Sequence, residues 1–284
     1  MSTPLPTVVI ATRDRRQRLL ATLAHLDALA ERPAVVVVDN ASSDGTAAAA
    51  RQLPGVKVIE AKDHLGSAAR TLGVEIADTP LVAFSDDDSW WAPGALRRAA
   101  ELFQAHPRLG LIAGRIIVEP DGRLDPTCHR MQVSRLEHEP DLPGPPVLGF
   151  LACAAIARRE AVLACGGFHA RYGFGGEEHL LALDLAAAGW GLAYVDGVVA
   201  HHEPAPGPRD WRGERELRNM LWSIWLRRPL PHALRLTSAL TARGGDGTMH
   251  GLVAALRGLP WVMRERRVVP PQLERRLRLL ECDE

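Results

Sequence analysis

Residues 7–40 read TVVIATRDRRQRLLATLAHLDALAERPAVVVVDN. Two β-branched runs, at 7–11 and 35–38, enclose a stretch in which Leu19, Leu20, Leu23, Leu26 and Ala30 recur at helical spacing. Strands that are apolar throughout need cover on both faces. The reading is therefore a strand at 7–11, a helix at 15–31 and, past Pro33, a strand at 35–38. A helix between two strands sets them parallel. The rhythm continues with a polar turn at 39–46 and an alanine-rich helix, a strand at 56–60, a helix at 67–77 and a strand at 81–85. This predicts an α/β fold, a mostly parallel sheet sandwiched between helices. Ligands of such sheets bind beyond the carboxyl ends of the strands, which singles out the loops after Ala11, Val38 and Phe84.

Beyond residue 91 the pattern loosens. A helix is expected at 93–105, paired strands at 109–118, a loop or flap suited to closing over a ligand at 121–146, and core at 147–157. A helix at 177–188 stops at Gly189, and a strand at 194–200 leads to His201-His202. A proline-rich linker at 204–208 divides the chain into a sheet-bearing domain, 1–204, and an α-helical C-terminal extension, 205–284. The 284 residues carry 34 Lys+Arg against 34 Asp+Glu, which excludes nucleic acid as a partner held by bulk charge. The balance is uneven, because residues 205–284 hold fifteen arginines, no lysine and nine carboxylates. Cys128, Cys153, Cys165 and Cys282 show no C-x-x-C spacing and read as plain thiols of a reducing compartment. No basic-then-apolar leader precedes the first strand, and the longest apolar run, 147–157, is too short to cross a bilayer. A cytoplasmic location is expected.

The densest chemical signal is Phe84-Ser85-Asp86-Asp87-Asp88-Ser89-Trp90. Three carboxylates at a strand end repel one another unless a cation neutralises them. An oxygen-rich cluster suits Mn²⁺ or Mg²⁺ together with a substrate's phosphates. A solvated acidic turn leading into the next helix is the plainer alternative. The loop after the first strand, Thr12-Arg13-Asp14-Arg15-Arg16, has no glycine. That excludes a dinucleotide-binding turn and a P-loop, and disfavours a sugar-phosphate nucleotidyltransferase. A nucleotide site here is built from side chains. Glu177-Glu178 either offset the dipole of the helix they open or do chemistry. The preceding Gly175-Gly176, which let a substrate approach the backbone, favour chemistry.

Five segments, VVIATRDR (8–15), VVVDNASSDGT (36–46), LGSAARTLG (65–73), FSDDDSW (84–90) and GGEEHLLALDLAAAGW (175–190), are followed by the histidine pair. In this order they resemble the inverting nucleotide-sugar glycosyltransferases of family 2, over the sheet-bearing part of the chain. The resemblance implies a GT-A fold. It also implies metal-dependent, inverting transfer of a sugar from a nucleoside-diphosphate sugar to a hydroxyl acceptor, a glycan or lipid-linked glycan. By the same resemblance Thr12, Arg15 and Asp39 contact the donor's base and ribose, and Arg70 lies near its diphosphate or ribose, with Asp86 and Asp87 on the nucleotide-sugar side. Asp86 and Asp88 match the outer acids of a D-x-D motif, Asp88 being the better metal ligand, and His202, or its neighbour His201, completes the metal site. Glu177-Glu178 match the family's acidic pair, with Glu178 as catalytic base. Three positions depart from the pattern: Glu178 stands where Asp is usual, Leu180 where a second acid is often found, and Asp184 where a basic residue is common. His64 and Thr71 likewise replace asparagines. A non-catalytic member that binds nucleotide or glycan is the rival reading. It requires a broken metal or base position, and neither is broken.

In the C-terminal region, 212–228 sets Leu217, Met220, Leu221, Ile224 and Trp225 on one helical face. Trp222 and Leu226 fall outside it, among Arg215 and Arg218. Tryptophan between arginines suits a headgroup surface, that is, peripheral contact with the inner face of the membrane. Packing of a second face against the rest of the protein is the plainer expectation.

Overall fold

The computed structural model describes residues 4–205, 212–242, 244 and 247–281; Pro206–Pro208 of the expected linker and Cys282 lie outside them. The first part follows the β-α rhythm of the sequence: β1 (Thr7–Thr12), α1 (Arg16–Asp27), β2 (Val35–Asp39), α2 (Thr46–Ala50), β3 (Val56–Glu60), α3 (Ala69–Ile76) and β4 (Leu81–Ser85). Then come β5 (Ser89–Trp91), α4 (Ala95–Ala105), β6 (Leu109–Val118), β7 (Arg123–Leu124), α5 (Pro126–Gln132), β8 (Ala155–Arg158), α6 (Arg159–Ala164), α7 (Glu177–Ala187) and β9 (Gly191–His202). They form one sheet in the order β3-β2-β1-β4-β8-β6-β9-β5, with β7 on the side of β6. β1 pairs in parallel with β2 and β4, β2 with β3, and β6 with β9. β8, β7 and β5 run against their neighbours. The sheet is thus largely parallel, as expected. Val8, Val9 and Ile10 are fully buried because helices cover both faces. α3 comes so close that a Cβ at Gly73 would strike Val9 and Val38.

Three expectations change. Residues 109–118 form one ten-residue strand rather than a pair. Its register slips between Gly114 and Arg115, where the missing Cβ leaves room for the carbonyl of Val198. The segment 89–91, read with the acidic turn, is a strand. Residues 121–146 are not a detached flap. Cys128, Met131, Leu136 and Leu142 are buried, Arg108 and Arg276 both pair with Glu139, and Ser134 Oγ donates to the Pro146 carbonyl at 2.7 Å.

The C-terminal helices are α8 (Arg212–Arg227), α9 (Leu230–Ala242), α10 (Thr248–Arg257), α11 (Leu259–Glu265) and α12 (Pro271–Leu280). Leu221, Trp222 and Leu226 of α8 share an apolar cluster with Tyr172 and Leu180 of the sheet-bearing part. Arg227 grips Asp184 of α7 with two bonds, at 2.5 and 2.8 Å. This corrects the headgroup reading of Trp222 and Leu226, which are both buried. Trp222 Nε1 donates to the Ala255 carbonyl at 3.0 Å, and the Arg218 guanidinium lies 4.4 Å over its ring. Met220, assigned to the buried stripe, is exposed. Leu180 and Asp184, which depart from the family pattern, are docking positions for α8. Among the described residues no helix is long and apolar enough to cross a membrane.

Candidate active site

β4 ends at Ser85, and the chain turns at once. Asp86 N donates to Ser89 Oγ at 2.7 Å and Ser89 N to the Asp86 carbonyl at 3.2 Å. The turn feeds β5, whose antiparallel register with β9 sets Ser89 opposite His202. That register brings the imidazole to the acids. Asp86, Asp88 and His202 each offer one ligand atom within 4.8 Å of the others, and His202 Nε2 lies 3.4 Å from Asp88 Oδ1. Alternation along the strand turns His201 to the other face, where Nδ1 lies 2.7 Å from Glu119 Oε1 and the ring stacks on Trp90. His201, the alternative ligand in the sequence reading, is therefore outside the cluster.

The three aspartates do different work. Asp87 faces inward, accepting from Thr12 Oγ1 at 2.8 Å and Arg15 Nη1 at 3.1 Å, while Thr22 donates to its carbonyl at 2.8 Å. It braces the acidic turn against β1 and α1. Burial pushes its carboxyl up to about 6, against the pull of Arg15. Burial also opposes charge on Asp88, but His202, Arg15 and Arg18 outweigh it and hold this carboxyl below its usual range. Two carboxylates and an imidazole are a donor set that fits a hard-to-borderline divalent ion such as Mn²⁺.

Glu177 and Glu178 open α7 behind Gly175 and Gly176, whose φ of +91° and +82° only glycine adopts without strain. Glu177 is fully buried and Glu178 half-buried. Arg70 of α3, itself 4% exposed, joins the two halves of the site: Nη2 lies 2.5 Å from Asp86 Oδ1 and Nη1 3.4 Å from Glu177 Oε1. Burial opposes the charge on Arg70, but Asp86, Glu177 and Glu178 outweigh it and raise its pKa. Burial raises both glutamates above the ordinary carboxylate range. Glu178 repels charge on Glu177, Asp86 repels it on both, and Arg70 pulls the other way. Glu177 Oε2 and Arg70 Nε make no hydrogen bond among the described residues, so the site keeps unmet polar capacity in its buried wall.

The loops after β1 and β2 are stitched together. Ser43 N donates to Asp14 Oδ1 at 2.7 Å, Asp14 N to Ser42 Oγ at 2.9 Å and Arg16 N to Asp44 Oδ2 at 3.1 Å. Asp39, buried at the end of β2, accepts from Ser42 N at 2.9 Å. Arg15, Asp39 and the outer acids thus stand at the carboxyl ends of β1, β2 and β4, as the sequence predicts. Thr12 differs, because its buried hydroxyl is engaged by Asp87 and braces the site from within. Two residues escaped the sequence reading. Arg18, one helical turn after Arg15, has Nη1 3.4 Å from Asp88 Oδ2 and donates to the Glu203 carbonyl at 2.9 Å. The only signal for it was that i, i+3 spacing. Asn219 of α8 is fully buried, and its Nδ2 donates to the carbonyls of Tyr172, Phe174 and Gly175 at 2.9, 3.3 and 2.5 Å. From the other side Ser67 N donates to the Gly173 carbonyl at 2.7 Å. The loop that aims the glutamate pair is clamped between these two donors.

Solved structures share this fold. A mannosyltransferase from Pyrobaculum calidifontis, in complex with GDP-Man and Mn²⁺, superposes with a TM-score of 0.63 at 21% identity, over 92% of this chain and 83% of that one. S. aureus TarS in complex with UDP-GlcNAc superposes with 0.59 at 16% identity, over 77% of this chain and 66% of that one. Both share the GT-A fold. Uncharacterised glycosyltransferases of Mycobacterium tuberculosis and Mycobacterium bovis are 33% identical over 203 residues, 67% of this chain and 83% of theirs. Residues 7–166, a span from β1 through the acidic turn to the end of α6, match glycosyl transferase family 2. With more than half its length in that match, the chain belongs to glycosyl transferase family 2 and is a glycosyltransferase.

Proposed function

We propose that this enzyme moves a sugar from a nucleoside-diphosphate sugar to a hydroxyl of a glycan or lipid-linked glycan. The transfer is one displacement that inverts the anomeric carbon. The observation that carries the reading is Arg70, which spans from Asp86 to Glu177 and makes the acid cluster and the glutamate pair one site. Nucleotide sugars in the solved relatives support the donor class. Asp86, Asp88 and His202 would hold Mn²⁺ or Mg²⁺, the imidazole favouring Mn²⁺. When bound, such an ion neutralises charge growing on the departing diphosphate. Arg15 and Arg18 add positive charge on the same side, and Asp39 takes hydrogen bonds from the base or ribose. Glu178 accepts the proton of the attacking hydroxyl, a task its raised pKa suits. Glu177 and Arg70 keep it in place. The acceptor oxygen bonds to the anomeric carbon as the bond to the diphosphate breaks, so no protein nucleophile takes part. A lipid-linked acceptor places the enzyme at the inner face of the cytoplasmic membrane, with its basic C-terminal helices as the part that meets it.

Glu178→Gln tests the reading. Donor binding with Mn²⁺ persists in calorimetry, while turnover falls by about 10²–10⁴, the span of a general base. Unchanged turnover removes Glu178 from the role. A product with retained anomeric configuration, read by NMR, removes the single displacement.

A further inference from the structure

Ten of the eleven exposed large hydrophobic side chains among the described residues lie between Met220 and Leu279, and only Val133 lies elsewhere. Five of the ten form a stripe. Met249, Val253 and Leu256 stand at i, i+4 and i+7 on α10, and Leu259 and Met263 at i and i+4 on α11; their exposures run from 39% to 68%. Gly258, the single residue between the two helices, keeps right-handed helical backbone at φ −81° and ψ −8°, so one face follows closely on the other. The opposite faces are occupied. Gly251 of α10 lies against Glu214 and Leu217 of α8, and Ala255, Trp261 and Val262 are buried with Tyr172 and Trp222. The stripe therefore points away from the protein.

Its charge has one sign. Arg257 and Arg264 on these two helices are exposed. Glu265, the only carboxylate between 248 and 265, lies 3.0 Å from His169 Nε2, back toward the protein.

We propose that the outer face of α10 and α11 docks the enzyme on an anionic lipid bilayer. The apolar stripe enters the boundary between headgroups and acyl chains, while Arg257 and Arg264 meet lipid phosphates. Methionine near each end suits a fluid, irregular partner. A second copy of the chain is the poorer occupant. A two-fold axis through the stripe would bring each arginine pair against its own kind, with no unpaired carboxylate on either helix to answer it. The contact rests on exposure and charge alone and stands whatever the acceptor is. Its consequence for the site is mechanical: α10 packs on α8, and α8 clamps the loop before Glu177, so docking holds the glutamate pair at a fixed height above the lipid.

Vesicle flotation of the full chain is the test. The protein floats with vesicles of phosphatidylcholine and phosphatidylglycerol and stays down with phosphatidylcholine alone. The double substitutions Met249→Ser with Met263→Ser, and Arg257→Ser with Arg264→Ser, each weaken vesicle affinity by about tenfold or more. Unchanged unfolding temperature and unchanged Mn²⁺-dependent nucleotide binding show that fold and transfer site are intact in them. Flotation with neither vesicle, equal flotation with both, or no effect of the substitutions overturns the proposal. A doubling of mass in sedimentation that the same substitutions abolish also overturns it, and assigns the stripe to a second copy.

Discussion

His201 and His202 are adjacent in sequence, yet only the second meets Asp86 and Asp88, because a strand turns successive side chains to opposite faces. His202→Ala is expected to weaken Mn²⁺-dependent binding of a nucleoside diphosphate about tenfold to a hundredfold, the range for losing one metal-site partner. His201→Ala changes it less than about twofold, since its imidazole touches Glu119 and Trp90 instead. Calorimetry with both variants checks this, and the reverse ranking would return the metal site to His201. His179, the residue after the proposed base, carries a different signature. Burial, reinforced by Arg228, pushes its imidazole down to about 4. Below about pH 6.5 the unfolded chain protonates this group, while the folded chain resists until about pH 4. Folding stability is therefore lost as pH falls through that window, by about 3 kcal/mol at most. Urea unfolding at pH 7.5 and pH 5 should show the loss, and His179→Gln should flatten it. An equal slope in both proteins assigns the acid sensitivity to other groups.

At the scale of elements, α8 reaches the catalytic loop chiefly through Asn219, with Arg218 Nη2 sharing the Tyr172 carbonyl at 3.0 Å. Asn219→Leu keeps the volume and removes the three bonds to the carbonyls of Tyr172, Phe174 and Gly175. With the Phe174 and Gly175 carbonyls released, kcat should fall about tenfold to a hundredfold, as for a small misplacement of a catalytic group, while donor affinity stays within about twofold. Equal losses in kcat and donor affinity would make Asn219 a purely structural residue. None of this was legible in the sequence. Asn219 sits in a helix whose pattern reports only burial, and its partners are backbone carbonyls, which leave no trace in side-chain spacing. The elements of the first part were legible because each strand is apolar throughout and each helix repeats its leucines, and the site loops because they follow those strands. Legibility ended where an element is too short for a period, as in the three residues of β5. It ended also where a helix is packed on two sides, as with Trp222, whose position outside one stripe places it in the other contact.

For the whole molecule, the question is whether the C-terminal helices are an appendage or part of one folding unit. Three observations argue for one unit. Tyr172 and Leu180 share a core with Leu221, Trp222 and Trp261. Asp184 holds Arg227 in two bonds. Leu273 and Leu277 of α12 pack with Leu136, Leu148 and Leu183. Leu180 is the decisive position, since the family often places an acid there and this chain buries the side chain at 2% exposure. Leu180→Asp should therefore set a carboxylate in the apolar cluster of Leu221 and Trp222. The expected cost is about 3–5 kcal/mol, the scale of an unpaired buried charge. If the helices belong to the same unit, thermal or urea unfolding remains a single transition, displaced downward, and tryptophan fluorescence and far-UV signal move together. If they form a separate domain beyond residue 204, the variant shows two transitions. The first is seen in fluorescence, because four of the seven tryptophans lie after residue 204, and the sheet unfolds later at its original midpoint. The bidentate Asp184–Arg227 pair and the clamp on the catalytic loop both require the single transition, because either is broken as soon as α8 leaves.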